Sequence, residues 1–265
     1  MESNLSKGIM KTVTVINQKG GVGKSTTANA LGQAFLLKGK RVLYIDLDAQ
    51  GNLTKSLGGT QTERGVASIL FDRAEAQEAI QETAMGDLIP SSPTLVTSDR
   101  TLAETGSEYR LKEALSTIQG YDIIMIDTPP SLGTLTINAL TASDGVIIPA
   151  QADSFSLDGT AQLRGSIEAV RKYCNRSLRI YGIVLTRFNP RTVLSREVRE
   201  QFRKRAEEMQ TRLFSTEIRE SVAIKESLAL RSSLFKYAKR SAGAKDYLAL
   251  ADEVMAEINR SAKHE

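Results

Sequence analysis

Apolar, β-branched runs of strand length recur along the chain: TVTVI (12–16), RVLYID (41–46), YDIIMID (121–127), DGVIIPA (144–150) and LRIYGIVLT (178–186). Their apolarity is nearly continuous, the pattern of strands buried on both faces of a parallel sheet. Helical patterning fills the intervals, at about 24–38, 107–119, 133–142, 157–173 and 194–211. This alternation predicts an α/β fold, a doubly wound, mostly parallel sheet flanked by helices and joined by right-handed crossovers. Near the end, GAKDYLALADEVMAEI (243–258) puts Tyr247, Leu248, Ala251, Val254 and Ile258 on one helical face, so a last helix is expected to dock on the sheet.

Residues 51–106 are less regular, punctuated by Gly58-Gly59, Gly65, Pro90 and Pro93. No low-complexity linker or internal repeat interrupts the strand-helix rhythm. One domain over 11–265 is the expectation, preceded by a short N-terminal extension, 1–10. At 265 residues such a unit buries a substantial core.

Composition narrows the chemistry. One cysteine, Cys174, and one histidine, His264, leave almost no material for zinc sites, for cysteine-held clusters within one chain, or for Cys-His and Ser-His-Asp catalysis. What remains is carboxylates, lysines, hydroxyls and backbone. MESNLSKGIM has no apolar signal core, and no run approaches the roughly 20 apolar residues that span a bilayer, so a cytoplasmic location is expected. The formal charge of +4 is unevenly spread: 13 Lys/Arg face 16 Asp/Glu up to residue 150, and 22 face 15 beyond it.

The densest chemical signal is NQKGGVGKST (17–26), set between the first strand and the first helix. A phosphate-binding loop follows G-x-x-x-x-G-K-[ST]: glycines let backbone N–H groups converge on phosphates, the lysine reaches the β and γ phosphates, and the hydroxyl joins magnesium. Gly20, Gly21, Val22, Gly23, Lys24, Ser25 and Thr26 meet that need at a helix N-terminus, with Gln18 where the first glycine would stand. A glycine-rich turn that binds nothing is the plain alternative. Lys24 fills the lysine's place, which leaves Lys19 to be explained.

Carboxylates follow at strand ends. YIDLDAQGN places Asp46 and Asp48 two apart, on one side if the chain stays extended, and IIMIDTPPS ends an apolar run at Asp127. Each read alone is a turn or helix cap. Two carboxylates sharing a face repel unless a cation separates them, and beside a phosphate loop that suggests a site.

KGGVGKST resembles the deviant Walker A loop of the ParA/MinD group of P-loop ATPases, and DLDAQGN resembles that group's DxDPQGN, with Ala49 in the proline's place. PPSLGTLTINAL (129–140) and PAQADSFSLDGTAQL (149–163) resemble its next blocks. The resemblance implies a P-loop NTPase fold using ATP and Mg2+. It implies that Lys24 serves the nucleotide of its own chain and Lys19 reaches the partner's in an ATP-closed homodimer. It further implies that Asp48 orients the attacking water, that Ser25, Asp46 and Asp127 belong around magnesium, and that Asn189 in LTRFNP meets the base and the dimer partner. IRESVAIKES (218–227) departs from the family's I-P-R pattern, with Arg219 and Glu220 at the proline and arginine positions.

The basic half offers Arg196, Arg199, Arg203, Lys204, Arg219, Arg231, Lys236, Lys239 and Arg240. Glutamates at helical spacing allow these to be a solvated, internally paired surface. The diffuse excess also fits sequence-independent contact with DNA phosphates. The resemblance implies a partition ATPase, weak alone, whose dimer binds double-stranded DNA on the nucleoid and is released when a ParB-like partner stimulates hydrolysis. About ten residues before the first strand point to the short-form class. A MinD-like membrane switch would need an amphipathic basic tail, and ADEVMAEINRSAKHE is acidic and lacks aromatics, so no stable membrane association is expected. ParA-like positioning of a protein cargo stays open.

Overall fold

The computed structural model describes residues 10–261. All of the 1–10 extension but Met10 lies outside the described residues, as does His264. Seven strands form one sheet: β1 (Lys11–Val15), β2 (Val42–Asp46), β3 (Asp87–Ile89), β4 (Ile123–Asp127), β5 (Gly145–Gln151), β6 (Arg179–Phe188) and β7 (Ile218–Arg219). Their order is β3-β2-β4-β1-β5-β6-β7, and every pair is parallel. Parallel neighbours require crossovers. These carry helices α1 (Lys24–Leu37), α2 (Asn52–Ser56), α3 (Val66–Asp72), α4 (Ser98–Thr101), α5 (Arg110–Leu115), α6 (Thr134–Ala142), α7 (Ser154–Tyr173), α8 (Val193–Glu208), α9 (Val222–Ala229), α10 (Leu234–Tyr237) and α11 (Ala242–Ser261).

The strands read as unbroken apolar runs because successive residues enter different cores. In β4, Ile123 and Met125 join one cluster with α1 and α11, while Ile124 and Ile126 join another with α3 and α5. In β5, Ile147 faces the first cluster and Val146, Ile148 and Ala150 face a third, with α7 and α8. Burying each such Ile or Leu contributes about 1.5–3 kcal/mol, and the polar residues that β1 does bury are bonded, as Thr14 is to the Ser143 hydroxyl. The last helix docks as its pattern predicted: Tyr247, Ala251, Val254 and Ile258 are buried in the α1 cluster.

Parallel strands place all their carboxyl ends at one edge. Chain order runs outward from β1 through β2 to β3, returns to β4, and then passes to the far side through β5, so a crevice opens above β1 at the point of reversal. The loop after β1, Asp46, Asp127 and the turn after β5 all reach that edge. No helix among the described residues is long and apolar enough to cross a membrane.

Candidate nucleotide site

The loop after β1 is fixed before any ligand arrives. Asn17 donates through Nδ2 to the Pro149 carbonyl at 2.7 Å, and its Oδ1 accepts from the Lys19 N–H at 3.0 Å. The Thr186 hydroxyl donates to the Val22 carbonyl at 2.7 Å, which ties the far limb to β6. Gly21 and Gly23 sit in the left-handed region, at φ 77° and 94°. A Cβ on Gly21 would meet nothing within 4 Å. Backbone conformation, not packing, therefore requires glycine there, and the space above the loop is open. Helix α1 starts at Lys24 with no side-chain cap among the described residues, and its first N–H groups carry the positive end of the helix dipole.

Above this loop lies a cleft of about 530 Å³. One wall is the loop itself, with Gly20, Gly21, Gly23, Lys24, Ser25 and Thr26. A second carries Asp48, Gln50, Asn52, Lys55 and Ser56; Pro130 and then Arg187, Leu228, Ala229 and Arg231 close the rest. Lys24 is only 8% exposed, with Nζ 3.3 Å from the Lys19 carbonyl oxygen. Burial lowers its pKa, and the charges of Asp127 and Asp48 oppose that. A buried ammonium aimed at an anion cleft is a phosphate ligand in waiting.

The carboxylates divide their tasks. Asp127, at the end of β4, is fully buried, and neither carboxylate oxygen has a hydrogen-bond partner among the described residues. Burial, and next the charge of Asp46, push its pKa well up; the Ser25 hydroxyl and Lys24 pull the other way, although Ser25 does not complete a hydrogen bond. Such an orphaned pair of acceptors beside a hydroxyl fits a hydrated dication. Among the described residues no three His, Cys, Asp or Glu side chains form a complete metal cage, which suits Mg2+, a cation that keeps waters and shares phosphate oxygens.

Asp46, expected around magnesium, is held by hydrogen bonds of its own. β2 ends at Asp46 and the chain turns, so the two aspartates do not continue along an extended strand. Asp46 Oδ1 accepts from the Asp48 N–H at 3.1 Å; Oδ2 accepts from the Thr54 N–H at 2.8 Å and the Thr54 hydroxyl at 2.7 Å. Burial still raises its pKa to about 6. Its carboxylate joins β2 to α2, and Asp48 is the one that lines the cleft.

Lys19 Nζ contacts Asp153 Oδ2 at 2.6 Å and Ser156 Oγ at 3.2 Å. Asp153 also caps α7, accepting from the Ser156 N–H at 2.8 Å. Asn189 is not among the cleft-lining residues; it is exposed, and its Oδ1 accepts from the Arg191 N–H at 3.1 Å. Its neighbour Arg187 lines the cleft instead. Sequence reading quoted Gln50 and Asn52 within DLDAQGN without assigning them to the site, and it missed Lys55, Leu228 and Ala229, which carry no motif of their own.

The basic candidates separate into paired and unpaired groups. Arg199 meets Glu217 at 3.3 Å, Arg203 meets Glu200 at 3.0 Å, and Arg219 grips Asp246 through two bonds of 3.0 and 2.6 Å. Arg231 belongs to the cleft. Arg196, Lys204, Lys236, Lys239 and Arg240 are exposed, with no ion pair among the described residues.

Glycine-cradled helix N-terminus, buried lysine, adjoining hydroxyl and orphaned strand-end carboxylate together define a P-loop ATPase. A family model described as an AAA domain matches residues 10–180. The chain is 42% identical over 252 residues to the sporulation initiation inhibitor protein Soj of Bacillus subtilis, covering 93% of this chain and 98% of that protein. It is 40% identical to the chromosome-partitioning ATPase Soj of Thermus thermophilus, covering 95% and 98%. The crystal structure of cobyrinic acid a,c-diamide synthase from Mycobacterium smegmatis with bound ADP and magnesium superposes with a TM-score of 0.82 at 32% identity, covering 95% of this chain and 96% of that one. The chain belongs to the Soj/ParA family of chromosome-partitioning ATPases.

Proposed function

We propose that this chain is an ATP-driven partition switch, working as one unit over 11–265, in which Mg·ATP closes a homodimer and the dimer binds double-stranded DNA without regard to sequence. The observation that carries this reading is the pair of lysines on one phosphate loop. Lys24 is buried in the cleft of its own chain, whereas Lys19 points away to Asp153. Only one lysine is needed to hold a nucleotide in place, and the second, held at Asp153, does not line the cleft of its own chain.

The residues act as follows. The Gly20–Thr26 backbone and Lys24 hold the phosphates; Ser25 and Asp127 flank the cation. Magnesium, when bound, neutralises charge that develops on the phosphates during hydrolysis. Asp48 orients the attacking water, and Asp46 holds the Asp48 turn against α2. Lys19 leaves Asp153 and contacts the partner's phosphates, which makes hydrolysis depend on dimerisation. A ParB-like protein accelerates hydrolysis and so releases DNA, placing the protein on the nucleoid while it holds ATP.

DNA contact is assigned to the unpaired cations Arg196, Lys204, Lys236, Lys239 and Arg240. Doubling a weak basic surface by dimerisation makes binding ATP-dependent through avidity. Membrane switching is disfavoured because the apolar face of α11 is packed against α1 and the sheet. DNA binding measured against salt with no nucleotide, ADP and ATP, alongside liposome sedimentation, tests the reading. Salt-sensitive DNA binding with ATP alone supports it, and ATP-dependent liposome binding without DNA binding overturns it.

A further inference from the structure

Among the described residues four non-glycines adopt left-handed backbone: Arg73, Arg187, Gln210 and Arg231. Two of them, Arg187 and Arg231, line the nucleotide cleft, and each occupies its conformation for a different local reason.

Thr186 and Phe188 of β6 pair with the consecutive residues Ile218 and Arg219 of β7. Arg187 is thus the extra residue of a bulge, with φ 49°. Bulges beside active sites re-aim a side chain that regular pairing would direct elsewhere. The exposed Arg187 borders both the cleft and an adjoining hollow lined by Val22, Thr186, Ile218, Ile224 and Tyr247.

Arg231 ends α9. Its N–H donates to the Leu228 carbonyl at 3.1 Å, and the Ser232 N–H donates to the Ser227 carbonyl at 2.9 Å. This is a helix-terminating pair of bonds whose left-handed residue is usually glycine. Here arginine holds the position at φ 49°. A side chain kept at the cost of backbone strain beside a binding cleft points to a use for that side chain. The carboxyl end of a helix carries partial negative charge, which opposes a polyphosphate; a guanidinium there reverses the sign. Neither arginine has an ion pair among the described residues.

We propose that Arg187 and Arg231, which line the same cleft as Lys24, are nucleotide-contacting residues that clamp ATP there. The proposal rests on the ATP-site reading above. Its test is equilibrium binding of a fluorescent ATP analogue to the wild type and to Arg231→Gly, Arg231→Ala, Arg187→Ala and Lys24→Ala, with nucleotide-free melting temperatures and DNA binding measured alongside.

Arg231→Gly is expected to raise Tm by about 2–4 °C as the strain is relieved, yet to weaken ATP binding roughly tenfold, the loss of one charge-assisted contact. Arg231→Ala is expected to weaken ATP binding similarly without the gain in Tm, and Arg187→Ala to weaken it as well. ATP affinity unchanged in the Arg231 variants, or in Arg187→Ala, overturns the assignment of that arginine, as does loss of DNA binding alone. If Lys24→Ala itself binds ATP normally, the ATP-site reading is what fails.

Discussion

Lys19 Nζ lies 2.6 Å from Asp153 Oδ2, joining the phosphate loop to the N-terminus of α7 within one chain. Burial opposes the charge of Asp153, but the Lys19 and Ser156 contacts outweigh it and hold the carboxyl below its ordinary range. A lysine that serves a partner must first leave this contact.

Asp153→Asn therefore removes the charge while keeping an N-cap side chain that α7 can use. Both members of the pair are part exposed, so the pair is worth at most about 1 kcal/mol. Sedimentation across an ATP titration is expected to show Asp153→Asn dimerising at up to roughly fivefold lower ATP concentration. An unchanged midpoint would show that the contact does not restrain Lys19.

Asp48→Ala is expected to bind ATP as the wild type does, because Asp48 leaves the loop's N–H groups and Lys24 in place, and to hydrolyse it about 100-fold or more slowly through loss of an oriented water. Single-turnover hydrolysis with light scattering checks this: the variant should persist as an ATP dimer.

Replacing Lys236, Lys239 and Arg240 together by alanine removes three cations around α10 that have no ion pair among the described residues. The log-log salt slope of DNA binding should fall by roughly 2–3, while ATP binding stays at the wild-type level. An unchanged slope would move the DNA surface elsewhere.

Glu253 on α11 supplies a pH dependence away from the site. Burial would raise its pKa, but the N–H and hydroxyl groups of Ser215 and the N–H of Thr216, at 2.8–3.1 Å, dominate and hold it below the ordinary glutamate value of 4.5. A depressed carboxylate stabilises above its unfolded pKa, and that contribution fades as pH falls through the folded value. Glu253→Gln should cost about 1 kcal/mol at pH 7, and urea titrations should show the difference shrinking as pH falls below that ordinary value.

The five long strands were legible because double-sided burial leaves an unmistakable apolar run. β3 and β7 were not, since three and two residues at the sheet edges carry too little pattern. The same contrast governs the site. Gly20 to Thr26, Asp48 and Asp127 lie next to strand ends and keep their pattern in linear order. Arg187, Leu228 and Arg231 reach the cleft only through a bulge and a helix end, neither of which periodicity records. In LTRFNP the residue that lines the cleft is Arg187, which sits at a bulge that linear order does not reveal. The ion pairs of Arg199, Arg203 and Arg219 likewise depend on tertiary neighbours that charge counting does not see.

The most direct test of the switch is light scattering of wild type and Lys19→Ala with ADP and with a non-hydrolysable ATP analogue, after nucleotide binding has been confirmed for both. The wild type should be monomeric with ADP and dimeric with the analogue, and Lys19→Ala should bind the analogue yet fail to form a hydrolysis-competent dimer with ATP. A Lys19→Ala protein that dimerises and hydrolyses ATP at the wild-type rate would contradict the account.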